Sequence, residues 1–129
     1  MHLFAYGTLM NKETMLKISG CTPECMSAVL HGFKRMCIKG AAYPGIIPSG
    51  SDRVEGLIYF DLPASAWKRL DEYEGSIYER QSVQVKTGSS RLVQASAYVV
   101  KGEFYHLLED RPWKGAQTFT KARCNIDGA

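Results

Sequence analysis

The sequence predicts an α+β domain in which roughly five to seven strands carry two or three short helices. Three observations lead there. Several stretches alternate apolar and polar residues as strands do, most plainly "RVEGLIYF" at 53–60 and "VQASAYVV" at 93–100. Two shorter stretches, at 11–19 and 63–75, carry helical spacing between start and stop signals. The order does not alternate strand with helix, which argues against a doubly wound parallel sheet. A chain of 129 residues suits one domain, 1–129, with a single hydrophobic core.

Residues 2–6 read as the first strand. A short helix over about 11–19 follows: Asn11 can cap it, Glu13 suits its first turn, and Met15, Leu16 and Ile18 are apolar. Cys25 to Leu30 and Phe33 to Ile38 read as two strands around His31-Gly32. "GAAYPGIIPSGSD" at 40–52 carries two prolines and three glycines and reads as a loop. Its apolar Tyr43, Ile46 and Ile47 suggest that it folds back over the body of the domain. The strand over 53–60 offers Val54, Leu57 and Tyr59 to the core.

Pro63 then suits a first helical position, Trp67 and Leu70 share one face, and Gly75 sits where a C-terminal cap belongs. "YERQSVQVKTGSSRLVQASAYVV" reads as a hairpin turning at Gly88-Ser89-Ser90. Glu103 to Leu108 reads as helical, and "DRPWKG" as a turn.

Sixteen basic and 13 acidic residues leave a net charge of +3 with no basic run, too slight for a nucleic-acid partner. The chain enters a strand pattern at once, so no leader peptide is expected, and no apolar run approaches the roughly 20 residues of a membrane span. The expectation is a cytoplasmic protein with no membrane partner. The histidines His2, His31 and His106 are far apart, and Cys21 and Cys25 have no second pair near them, so no metal is expected. The cysteines, with Cys37 and Cys124, read as free thiols.

Two places could hold chemistry. In "FAYGTLM" at 4–10 the chain leaves a strand and enters a helix within about five residues. Amide groups in such a turn can converge on an anion, and Gly7 permits a positive φ and close approach. The alternative is a plain turn that needs a glycine. In "LDEYEGSIYER" at 70–80, Asp71 and Glu72 can point into water, while Glu74 lies in line with Trp67 and Leu70. A buried carboxyl at a helix C-terminus has desolvation and the dipole to raise its pKa, which suits a general acid/base. The alternative is a structural glutamate that caps a loop or pairs with Arg80.

Together these segments resemble the gamma-glutamylcyclotransferase-like superfamily, which includes the butirosin-pathway cyclotransferase and the plant avirulence-induced proteins. The matching pieces are "YGTLM" at 6–10, "YPGI" at 43–46, "VEGLIYFD" at 54–61 and "LDEYEGSIYER" at 70–80, in order across residues 3 to about 100. The resemblance implies a small mixed β-barrel with flanking short helices. It implies that Tyr6, Gly7, Thr8 and Leu9 hold a γ-glutamyl group and that Glu74 is the acid/base. The implied reaction cyclises a γ-glutamyl amine or γ-glutamyl amino acid to 5-oxoproline and a free amine, and it needs neither metal nor cofactor. Tyr43 and Tyr78 are candidates to line the pocket, or else ordinary aromatic core.

The last thirty residues match poorly, and the choice of leaving amine is expected there. A second reading is a non-catalytic binding module for a glutamyl-like small molecule on the same fold. A third, a thiol amidase using Cys37 or Cys124 with His31 or His106, rests on residue types alone. The expected partner is the small-molecule substrate, with the chain a monomer or homodimer.

Overall fold

The computed structural model describes residues 1–88 and 90–113. Its elements are β1 (Leu3–Ala5), a 3-10 turn (Thr8–Met10), α1 (Lys12–Ser19), β2 (Cys25–Ile38), β3 (Pro44–Tyr59), α2 (Ala64–Glu74), β4 (Tyr78–Thr87), β5 (Leu92–Val100), a 3-10 segment (Gly102–Leu107) and β6 (Leu108–Glu109). The sheet runs β3-β1-β5-β4-β2-β6, and β2 also pairs with β3. That last pairing joins the ends of a five-strand ring, with β6 added on one edge. The pairings are antiparallel except β1 on β5, where Leu3 lies opposite Ser96 in parallel register. The expected mixed barrel with short flanking helices is present.

Strand periodicity gives the barrel wall two apolar faces. On one face Phe4, Tyr6, Leu30, Val54, Ile58, Val85, Ala97 and Val99 fill the barrel. On the other, Leu3, Ala5, Leu57, Tyr59 and Val100 pack with Met15 of α1 and with Trp67 and Leu70 of α2. The helices start as the sequence indicates. Asn11 Oδ1 accepts the Thr14 N–H at 3.0 Å and caps α1. Pro63 sits one position before its expected place, at the N-cap of α2. Gly75, at φ 81°, closes α2 in the left-handed region that favours glycine, and its N–H donates to Asp71 O at 3.2 Å.

Two expectations are corrected. The loop read over 40–52 is strand from Pro44 onward, with Pro44 to Pro48 opposite Cys37 to Phe33 of β2. Prolines are tolerated because this half of β3 pairs on one side only: β1 takes up the other side at Leu57 to Tyr59. The two strands read over 25–38 are one, β2, with a register shift between His31 and Phe33 where Gly32 adopts φ 85°. Cys21 and Cys37 are free thiols, but Cys25 is not, which departs from the reading of all the cysteines as free. Among the described residues no helix is long and apolar enough to cross a membrane.

Candidate functional site

The turn after β1 is held from four directions. Tyr6 follows Ala5 into the barrel face, and its buried hydroxyl donates to the Tyr98 carbonyl of β5 at 2.6 Å. The Tyr59 hydroxyl donates to the Leu9 carbonyl at 2.6 Å. Thr8 Oγ1 lies 3.2 Å from the Tyr73 hydroxyl of α2. Gly7 packs on Pro44: a Cβ there would lie 2.8 Å from Pro44 Cδ. Gly7 sits at φ −135°, so the turn uses the glycine for this close approach and not for the positive φ expected of it. Gly7 at its N-cap offers no side chain to cap the 3-10 turn, and among the described residues no side chain accepts from its first amides.

Glu74 comes to the same place from the end of α2. It shares a small cavity with Tyr6, Gly7, Thr8, Leu9 and Tyr43, and Pro44, Tyr98 and the three residues of β1 also line it. Glu74 is partly buried, and desolvation pushes its pKa from 4.5 up to about 7. Tyr6 and Tyr78 both feel the Glu74 charge, and burial with that charge raises both phenols above their ordinary value. The alternative pairing of Glu74 with Arg80 is not what the structure shows. Arg80 instead lies 3.4 Å from Asp71 Oδ2, and its guanidinium stands 4.8 Å over the Trp67 ring. Asp71, expected in water, also accepts the Tyr98 hydroxyl at 2.7 Å.

Six of the seven residues singled out from the sequence thus line one cavity. Tyr78 stands behind it. Its hydroxyl donates to the Pro44 carbonyl at 2.7 Å, and the residue lines a neighbouring cavity with Asp71, Gly75, Arg80 and Tyr98. Tyr43 is 43% exposed on the rim. The Trp113 indole donates to the Ala42 carbonyl at 2.8 Å and so pins the segment that carries Tyr43. The cavity that Glu74 shares with the turn is small, about 30 Å³, room for little more than a water.

Sequence reasoning missed Tyr98 and Asp71. Tyr98 gave no signal beyond strand alternation, and that it stands opposite Arg80, within reach of Asp71, follows only once the hairpin register is known.

Other features do not join this site. A wider groove of about 470 Å³ holds His31, Arg53, Glu55 and Lys86 but none of the seven residues. Cys37 is buried with its thiol against the Arg111 carbonyl at 3.3 Å, not against a histidine, so the described residues give the thiol amidase no dyad. Cys124 lies outside the described residues, as does most of the poorly matched C-terminal stretch. Among the described residues no three His, Cys, Asp or Glu side chains could hold a metal ion together.

Residues 3–115 match the family described as gamma-glutamyl cyclotransferase, AIG2-like. The chain belongs to that family. AIG2-like protein D of Arabidopsis thaliana is 39% identical over 102 residues, covering 77% of this chain and 67% of that protein. AIG2-like protein C of the same plant is 37% identical over 102 residues, covering 78% of this chain and 59% of its own length. The chain spans about half to two thirds of the curated AIG2-like relatives it matches. An Arabidopsis thaliana protein solved in solution superposes with a TM-score of 0.76 at 26% identity, over 93% of this chain and 82% of that one. A gamma-glutamyl cyclotransferase superposes with a TM-score of 0.70 over 100% of this chain and 91% of that one; at 17% identity it shows the shared fold alone.

Proposed function

We propose that this chain is a cyclotransferase that converts a γ-glutamyl amine or γ-glutamyl amino acid to 5-oxoproline and a free amine, with Glu74 as general acid/base. One observation carries the reading. The Tyr6 to Leu9 turn and the Glu74 carboxyl, 65 or more residues apart in sequence, wall one cavity, and burial brings that carboxyl's pKa to about 7.

The chemistry asks little else of the protein. The substrate's own α-amino nitrogen attacks the γ-carbonyl carbon and closes a five-membered ring. The α-ammonium must first lose a proton, and the leaving nitrogen must gain one as its bond to carbon breaks. In a curled γ-glutamyl chain the two nitrogens are neighbours, so one carboxyl can take the proton from the first and return it to the second. A group titrating near 7 is present in both forms at neutral pH, the condition under which one residue serves as base and then acid. Such help is worth on the order of 10²–10⁴ in rate. Pocket walls that hold the glutamyl chain curled add an orientation effect. The uncapped amides of the 3-10 turn suit either the α-carboxylate or the oxyanion that grows on the γ-carbonyl.

The test is 5-oxoproline release, read by mass spectrometry, from a panel of γ-glutamyl amino acids, γ-glutamyl-ε-lysine, simple γ-glutamylamines and glutathione. The reading expects release from at least one compound and its loss in Glu74→Gln. Release that survives Glu74→Gln would remove Glu74 from the chemistry. No release with retained binding of a panel compound would favour the binding-module reading.

A further inference from the structure

We propose that Asp71, acting through Tyr98 and Arg80, is the positioning residue that holds the Glu74 carboxyl at the cavity. The proposal rests on the acid/base reading of Glu74, and the experiment below separates the two.

Asp71 and Glu74 are one turn apart at the end of α2. The main-chain carbonyl of Asp71 accepts the Gly75 N–H at 3.2 Å and closes the helix directly after Glu74. The side chain reaches the barrel wall. Oδ1 accepts the Tyr98 hydroxyl at 2.7 Å, and Oδ2 lies 3.4 Å from the Arg80 guanidinium. Arg80 and Tyr98 face each other across β4 and β5, so one carboxylate bridges a cross-strand pair. Arg80 is fixed in turn by the ring of Trp67, back on α2. Tyr98 continues the chain of contacts, because its own carbonyl accepts the Tyr6 hydroxyl at 2.6 Å. The helix end that carries Glu74 and the turn that opposes it are therefore both referenced to a single strand residue, which also lines the cavity.

Stability alone is a poor account of this arrangement. The side chains of Asp71 and Arg80 are 47% and 34% exposed, and exposed pairs contribute little to folding. A carboxylate in the last turn of a helix is also disfavoured by the helix dipole. Alignment of Glu74 is the role that such a contact can serve well, since a misplacement of about 1 Å at a reacting centre can cost on the order of 10²-fold in rate.

The test uses Tyr98→Phe and Asp71→Asn in protein with carbon-13-labelled glutamate carboxyls. The Glu74 resonance is assigned by its absence in Glu74→Gln. Tyr6, Tyr78 and Tyr98, the phenols that feel its charge, are all raised and do not titrate near neutrality. The proposal expects Glu74 to titrate near 7 in the parent and to move toward 4.5 in both variants, as the freed carboxyl reaches water. Asp71→Asn also removes a negative charge, which lowers a neighbouring carboxyl by itself, so Tyr98→Phe decides. An unchanged Glu74 titration in Tyr98→Phe overturns the proposal. For turnover, kcat in Asp71→Asn, whose side chain does not line the cavity, is expected to fall about 10- to 100-fold with KM within about threefold. A parent protein that releases no 5-oxoproline would sink the cyclotransferase reading, while the titration would still decide the positioning role.

Discussion

Replacing Glu74 by Gln should stabilise the protein at neutral and alkaline pH and leave it nearly unchanged in mild acid. The structure sets the size. Burial raises the Glu74 pKa from 4.5 to about 7 in the folded chain. An acid with a raised folded pKa binds more protons folded than unfolded between those two values. Stability must therefore fall as pH rises through that window, and the loss is complete above the folded pKa. At about 1.36 kcal/mol per pH unit, the full window amounts to roughly 3 kcal/mol. Partial exposure of the residue makes this an upper figure. Glutamine resembles the protonated acid in shape and carries no charge, so it escapes the loss. Urea unfolding of both proteins at pH 4.5, 6 and 8 reads the effect directly. The gap should open from near zero at 4.5 to about 2–3 kcal/mol at 8. Groups common to both proteins cancel in the difference. A gap that stays constant from 4.5 to 8 would refute the argument that Glu74 is desolvated.

Three smaller outcomes follow from the same structure. Gly7→Ala places a methyl 2.8 Å from the Pro44 ring and should lower stability by about 1–3 kcal/mol, seen as an earlier thermal midpoint. Tyr78→Phe leaves the Pro44 carbonyl without the donor at 2.7 Å and should cost about 1–3 kcal/mol by urea unfolding. Asn11→Ala removes the acceptor of the Thr14 amide and should cost about 1 kcal/mol in the same assay, with the barrel's circular dichroism otherwise intact.

The sequence reading succeeded where the governing physics is local. The Asn11 cap, the Gly75 stop and the alternation of Val83, Val85, Ala95 and Ala97 are set by neighbours a few positions away, and each appears in the structure. It failed where a distant strand decides. Pro44, Gly45, Pro48 and Gly50 are loop residues by every local rule, yet β2 recruits this stretch into a ladder that nothing within a few residues announces. Gly32 looks like a break between two strands, but it is a bulge inside one. The site divides in the same way. Short motifs singled out Tyr6, Gly7, Thr8, Leu9, Tyr43 and Glu74, and the fold brings them to one cavity. The environment of Asp71 depends on the β4–β5 register and on the angle at which α2 meets the barrel. No motif encodes either: the residue is exposed as expected, and what the sequence did not show is its pair of partners, Tyr98 and Arg80.

The three-residue strand β1 has a consequence for the order of events during synthesis. Leu3 lies opposite Tyr59 on one side and opposite Ser96 on the other. The residues of β1 thus find their second neighbour only after nearly a hundred more have been made, at about 5–20 residues per second. Until then the ring is open, its apolar inner face lacks one stave, and the Tyr6 hydroxyl lacks the Tyr98 carbonyl that accepts it. Ring closure and assembly of the cavity are one late event, governed by contacts far apart in the chain. A change that weakens the hold of those three residues would delay both together.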